Sequence, residues 1–323
     1  MTSSLPRLKN KLCEMFDYFD RNQRCVYIDY PLHTNVGDLL INAGVEQFLS
    51  EQKVYVWKRF NYYDFPKQIP GLKKSDVMLL HGGGNFGDLW FNFQAFRERI
   101  LATFPDNRVI FLPQTVHFKS QERMAESIAR INSHRNNHVF ARDLRSLELL
   151  KRAGLHSVSA LPDTAHALFE AIQPSKSPVK GSVLKFIRKD IEATPPPAEL
   201  ADMKGLEADW DDGTFGTARR MSHLAVVNFV KGAGRYGPQV DWHALWYWHR
   251  DGLINDAIDL FSQHETIFTN RLHAMILGLL LNRPVIAYDN NYGKLSTYRD
   301  SWFDGIPGLD FRAAAAGVGQ KSA

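Results

Sequence analysis

Several clusters of polar residues stand directly behind apolar runs, and their types suit the handling of an anion and a proton. In TNRLHAMILGLLL, Thr269 or Asn270 would cap a helix and place Arg271 and His273 in its first turn. Cations there oppose the helix dipole. Either an anion collects at that end, or the side chains curl away to a carboxylate. LLHGGGNFGD puts Gly82, Gly83, Gly84, Asn85, Gly87 and Asp88 after a strand. Such a loop can form a nest of backbone N–H groups for an anion, or a tight structural turn. It is neither the dinucleotide fingerprint nor a P-loop. Arg142 and Asp143 follow HVFA. They read as an Arg fork for a carboxylate or phosphate, or as a surface salt bridge. Asp163 and His166 follow SALP and read as an acid–base pair, or as a cap and a satisfied histidine. Asn35, Gly37 and Asp38 follow the first strand. There Asp38 either caps a helix or faces substrate. Weaker candidates are Arg188, Asp190 and Glu192, and the group Tyr288, Asp289, Asn290, Asn291 and Lys294. Trp242, Trp246, Tyr247 and Trp248 form a sugar-stacking wall, or core at a domain interface.

These residues need elements to hold them. CVYIDYP, VYVWKRF, DVMLLHGGG, RVIFLPQTV and HVFARD read as strands. LLINAGVEQFLSEQ, FNFQAFRERILATF, ERMAESIARINSH and SLELLKRAG between them carry helical periodicity. Alternation of this kind predicts a parallel sheet with helices on both faces. IQPSKSPVKGS then reads as a linker, and strands at SVLKFIRKDIE, ETIFTN and PVIAYDN begin a second half. The expected organisation is an α/β chain with two Rossmann-like domains facing a cleft. The first covers 1–173, the linker 174–182 and the second 183–310, followed by a mobile tail, 311–323. The Pro-rich acidic stretch at 194–216 reads as an irregular insertion. Ligands in such sheets bind off the carboxyl ends of the strands, which is where the clusters above fall.

Composition narrows the class. The 323 residues are 44% hydrophobic and 23% charged, with a formal net charge of +4. The positive charge is scattered, with no polybasic tail, so no nucleic-acid partner is expected. Two cysteines, Cys13 and Cys25, are too few for a disulfide framework and suit a reducing compartment. No signal peptide is read in MTSSLPRLKNKLCEMFDYF, and AMILGLLL is far shorter than the about 20 residues that cross a bilayer. The expected location is the cytoplasm, with peripheral contact at the inner face of the cell membrane.

NVGDLLINAG, LLHGGGNFGD, LPQTVHF, ARDLRSLELLKRAG, LPDTAHAL and TNRLHAMILGLLLNRPVIAYDNNYGK, in this order, resemble the polysaccharide pyruvyl transferase family. The resemblance implies a fold similar to B-type two-domain glycosyltransferases. It implies transfer of the enolpyruvyl group of phosphoenolpyruvate onto two hydroxyls of a sugar, giving a pyruvate ketal. The implied acceptor is a lipid-linked oligosaccharide, and the donor is a substrate, with no cofactor or metal. By the same resemblance Arg142, Arg271, Leu272 and His273 hold the donor, and Asp38 and Gly82, Gly83 and Gly84 are further cleft motifs. His273 is expected to protonate the enol carbon or to hydrogen-bond the phosphate, and Asp38, Asp163 or His166 to take the hydroxyl proton. Asn35, Asn85 and Asp289 complete the expected substrate-binding set. Two other readings fit the same halves: a B-type glycosyltransferase using a nucleotide sugar, and a non-catalytic carbohydrate-assembly protein.

Overall fold

The computed structural model describes residues 4–189, 193–197, 200, 202–210, 223, 225–228, 242–289 and 293–312. Seven strands form the first sheet: β1 (Cys25–Ile28), β2 (Val56–Phe60), β3 (Val77–Leu80), β4 (Gly83–Gly87), β5 (Arg108–His117), β6 (Asn137–Ala141) and β7 (Val158–Ala160). Its order is β2-β1-β3-β5-β6-β7, with β4 on β5. The second sheet has five: β8 (Val179–Phe186), β9 (Leu206–Ala208), β10 (His264–Thr269), β11 (Val285–Tyr288) and β12 (Leu309–Arg312), ordered β12-β11-β10-β8-β9. Every pairing is parallel. β1, β3 and β6 are buried along their whole length, the signature of strands covered on both faces. The order reverses between β1 and β3 and again between β8 and β10, and a crevice opens at such switch points.

The helices are α1 (Leu5–Lys11), α2 (Val36–Glu51), α3 (Phe91–Thr103), α4 (Gln121–Ser133), α5 (Leu144–Arg152), α6 (Trp242–Ser262), α7 (Leu272–Leu280) and α8 (Lys294–Tyr298). Two of them tie the sheets together. On α6, the Tyr247 hydroxyl donates to Glu46 Oε1 at 2.6 Å, and Arg250 Nη1 donates to Asn42 Oδ1 at 2.7 Å, both on α2. At the end of α8, the Tyr298 hydroxyl accepts from Asp163 N at 2.9 Å, and Trp302 Nε1 donates to the Arg142 carbonyl at 2.7 Å.

The strand pattern differs from the expectation at its margins. β8 begins at Val179, inside the span read as a linker, and β12 runs to Arg312, past residue 310. The segment read as an irregular insertion contains β9, which pairs with β8 through Leu206, Glu207 and Ala208. A three-residue edge strand leaves no periodicity to read, and its pairing partner lies some twenty residues upstream. Residues 313–323 of the expected tail lie outside the described residues.

β6 also carries a titratable group remote from the crevice. The His138 ring stacks on Tyr18 with centroids 3.5 Å apart, and its nitrogens meet the hydroxyls of Ser157 and Ser159 at 2.8 and 2.9 Å. Burial, with Arg108 nearby, pushes its pKa down to about 3. The unfolded chain takes up this proton below about pH 6.5, and the folded chain does not until far lower. Stability contributed here is therefore lost as pH falls through that window. Relative to wild type, His138→Leu is expected to gain stability as pH drops from about 7 to about 5. Chemical unfolding at several pH values reads this, and a pH-independent difference would contradict it.

Candidate active site

A cavity of about 380 Å³ opens where the two sheets present their carboxyl ends. The first half contributes His33, Asn35 and Asp38 after β1, Gly84 and Asn85 in β4, Trp90 and Phe93 beside it, and Arg142 after β6. The second half contributes Arg188 after β8, Trp210 after β9, Arg271, Leu272 and His273 after β10, and Lys294 at the start of α8. The short, flat ends of parallel strands thus place five basic side chains on one crevice: Arg142, Arg188, Arg271, His273 and Lys294.

The two halves meet chemically at Asp163. It lies at the N-cap of a 3-10 helix over Thr164–Leu168, and its Oδ1 accepts from Ala165 N at 2.8 Å. Its Oδ2 accepts from Arg142 Nη1 at 2.8 Å and meets His273 Nε2 at 3.1 Å. Burial alone would raise this carboxyl, but the charge and hydrogen bond of His273, then Arg142 and the Ala165 N–H, outweigh it and hold it well below the usual carboxylate range. An ionised carboxylate only accepts, so His273 Nε2 carries the proton. His273 is left with Nδ1 for other work. The arrangement, a carboxylate orienting an imidazole, is the one acid–base catalysis requires.

This geometry redistributes the expected roles. Asp163 is buried and ionised, holds Arg142 and His273, and does not line the cavity. His166 is fully buried behind it, with Nε2 at 2.9 Å from the Tyr298 hydroxyl, and burial pushes its pKa down to about 4. It does not line the cavity. Asp38 does, with its side chain 30% exposed. Asn35, not Asp38, caps α2: its Oδ1 accepts from Gly37 N at 3.0 Å, while its Nδ2 donates to Asp38 Oδ2 at 3.1 Å. His33 Nε2 stands 3.6 Å from the same Asp38 oxygen. Of the three candidate bases, Asp38 is the one open to a ligand.

Arg142 is buried, not part of a surface salt bridge; its Nε also donates to Thr115 Oγ1 at 3.0 Å. Arg271 takes the second course open to a cation in this position. It is itself the N-cap residue of α7, in place of the expected Thr269 or Asn270, and its side chain forms a fork with Asp209 at 2.5 and 2.6 Å. Thr269 Oγ1 accepts from Arg271 N at 2.9 Å, and Asn270 Oδ1 accepts from Arg188 N at 2.8 Å. Asp209 and Trp210 come from the stretch after β9 that composition marked as irregular.

The glycines have separate tasks. Gly83 and Gly87 have φ of +119° and +134° and belong to β4, so the segment is a strand on β5, not a nest ahead of a helix. A Cβ on Gly82 would stand 2.7 Å from the Pro113 carbonyl oxygen, and Gly82 and Gly83 are not on the cavity wall. Gly84 is, where a Cβ would stand 3.3 Å from Lys294 Nζ. Asn85 is fixed from behind by Arg97, which donates to its carbonyl at 3.1 Å and to its Oδ1. Asp29, buried after β1, stands 3.8 Å from Arg97. Gly37 has a tighter duty: a Cβ there would lie 2.7 Å from His273 Nδ1. Gly37→Ala is therefore expected to displace the imidazole and reduce turnover by roughly 10²-fold, with a stability loss of about 1–2 kcal/mol as the ring leaves Asp163 and the Cβ crowds the Asn35 cap. Unchanged turnover would show that the ring has room to move.

Other expected residues lie elsewhere. Asp289 accepts from Leu295 N at 3.0 Å and Ser296 N at 3.3 Å, tying down the helix that carries Lys294, and does not line the cavity. Trp246 is core, Tyr247 binds Glu46 and Trp248 is 70% exposed, so these residues of α6 form no wall at the cavity. The Trp242 side chain, and Asp190, Glu192, Asn290 and Asn291, lie outside the described residues. Sequence reading missed His33, Trp90, Phe93, Trp210 and Asp209. The aromatic run WFNF, residues 90–93, is the signal in the sequence that points to Trp90 and Phe93.

Among the described residues, no helix is long and apolar enough to cross a membrane. The family model described as Polysaccharide pyruvyl transferase matches residues 35–292. EpsO of Bacillus subtilis (strain 168) is 34% identical over 310 residues, covering 94% of this chain and 93% of EpsO. Pyruvyl transferase 1 of Schizosaccharomyces pombe is 24% identical over 307 residues, covering 89% of this chain and 72% of that one. A functionally uncharacterised protein from Klebsiella pneumoniae shares the fold, with a TM-score of 0.62 at 20% identity, covering 95% of this chain and 98% of its own. With a family match that takes in Asp38, Arg142, Asp163 and His273 alike, the chain belongs to the polysaccharide pyruvyl transferase family.

Proposed function

We propose that the chain transfers the pyruvyl group of phosphoenolpyruvate onto two hydroxyls of one sugar in a lipid-linked polysaccharide repeat unit, releasing phosphate. The observation that carries this reading is the convergence of Arg142, Arg188, Arg271, His273 and Lys294 on one cavity. Phosphoenolpyruvate presents a carboxylate and a phosphate, and separated cations suit such a pair better than a single charge does. In the reaction a proton adds to the methylene carbon, which becomes the methyl group. One sugar oxygen bonds to the neighbouring carbon, and phosphate leaves. The second sugar oxygen then closes the ketal. Of the two hydroxyl protons, one balances the new methyl C–H bond and the other departs with phosphate. His273, as the imidazolium held at Nε2 by Asp163, donates its Nδ1 proton as the acid, and Asp38 accepts a hydroxyl proton. The cationic intermediate must be kept from water, which closure of the two halves over the crevice provides. The halves act as the two Rossmann-like domains of a B-type glycosyltransferase would. The reaction is placed in the cytoplasm, at the inner face of the membrane, where such an acceptor is held.

Calorimetric titration separates the readings. Saturable binding of phosphoenolpyruvate, with no heat from a nucleotide-sugar panel, is the expected result. Binding of a nucleotide sugar alone would transfer the assignment to a glycosyltransferase.

A further inference from the structure

Trp90 is 54% exposed, a large apolar side chain left open to solvent, and it lines the cavity. It occupies the N-cap position of α3, and its carbonyl accepts from Phe93 N at 3.0 Å. Phe93 lines the same cavity. Trp90 precedes the helix with non-helical dihedrals and Phe93 lies in its first turn, and both rings line this one cavity. The intervening Phe91 turns elsewhere, to the guanidinium of Arg123 at 4.9 Å from its ring centroid. Phe93 is braced from behind: Tyr62 packs on it at 5.5 Å and on Phe96 at 5.2 Å. Around these rings the first half offers the polar side chains of His33, Thr34, Asn35, Asp38 and Asn85, with Asn85 held by Arg97.

The cavity is therefore divided by origin and by charge. Its second-half side chains are the four basic groups of Arg188, Arg271, His273 and Lys294 with Trp210 and Leu272; its first-half side chains are two aromatic rings, neutral amides and hydroxyl, an imidazole, one carboxylate and Arg142. A dianion is repelled by Asp38 and drawn to the other side. A pyranose has the opposite preference: an apolar C–H face that stacks on aromatic rings, and a rim of hydroxyls that bonds to amides and carboxylates. We infer that Trp90 and Phe93 form the stacking platform for the acceptor pyranose and turn its hydroxyl edge toward Asp38. The inference rests on the pyruvyl-transfer reading for the word acceptor, and on the cavity alone for the pyranose.

The test uses saturation-transfer NMR with a panel of methyl hexopyranosides on the full chain, with phosphoenolpyruvate calorimetry run on the same samples. Saturation should reach ring C–H protons of at least one pyranoside with wild type. In Trp90→Ala and Phe93→Ala it should fall by roughly tenfold or more, as loss of a stacked aromatic anchor does. Trp90→Phe should keep most of it, and phosphoenolpyruvate binding should be unchanged in all three. Equal saturation in the Ala variants overturns the platform, as does absence of transfer from every pyranoside to wild type. Loss of flotation with phosphatidylglycerol vesicles in Trp90→Ala, with pyranoside binding intact, also overturns it and makes the exposed turn a membrane contact. Failure of phosphoenolpyruvate to bind wild type, with pyranoside transfer present, strikes only the donor assignment.

Discussion

His273→Ala is expected to lower phosphate release from phosphoenolpyruvate by about 10²–10⁴-fold, the usual worth of a positioned acid or base. The imidazole lines the cavity, and among the described residues its Nε2 is engaged by Asp163. Its removal takes away the oriented proton donor and leaves Arg142 still paired with Asp163 at 2.8 Å. The fold should therefore survive, with a stability loss of roughly 1–2 kcal/mol, in the ordinary range for a single substitution. Steady-state phosphate release and a thermal melt on one preparation separate the two effects. Turnover near the wild-type rate would remove His273 from the chemistry and leave Lys294 as the next cation on the cavity wall.

Asp163→Asn should damage both activity and stability. The neutral amide no longer fixes the Nε2 proton of His273, and a carboxylate-to-amide change behind a catalytic imidazole costs about 10⁴-fold where the arrangement is a working triad. It also leaves the Arg142 guanidinium buried without its counter-charge, a loss of roughly 3–5 kcal/mol for broken buried pairs. The pH dependence carries a sign. Because the folded carboxyl is held below the usual range, its stabilisation is complete above the unfolded value of about 4 and is lost as pH falls below it. Wild type should lose stability steeply on that acid limb, and the variant should lack this component. Denaturant titrations from about pH 7 to about pH 3 read both arms. A variant as stable as wild type at neutral pH would mean that water, not the carboxylate, satisfies Arg142.

Much of the α/β order was legible because parallel strands buried on both faces read as unbroken apolar runs, and the helices between them carry a clear period. For the same reason the polar clusters after β1, β6, β7 and β10 were found: strand ends point to the crevice. What failed was local. β4 hid because glycines carry no strand propensity, and it exists only because β5 offers it partners. β9 hid in a Pro-rich acidic stretch because three residues show no period, and it forms only where β8 offers it partners. The aromatic run on α6 looked like a ligand wall because composition cannot say which way a ring points; Trp246 points into the core.

The sequence by itself determined the residue types at each strand end, and so what gathers at the crevice: cations of the kind that suit an anion, and a histidine with carboxylates of the kind that move protons. Only the tertiary structure decided which carboxylate is sealed and which opens on the cavity. Asp38 and Asp163 look alike in one dimension, but Asp163 is sealed between Arg142 and His273 while Asp38 opens on the cavity. Their difference is one of burial and of partners, one of them, His273, drawn from 110 residues away. No spacing rule carries that information, because it is set by how two sheets meet.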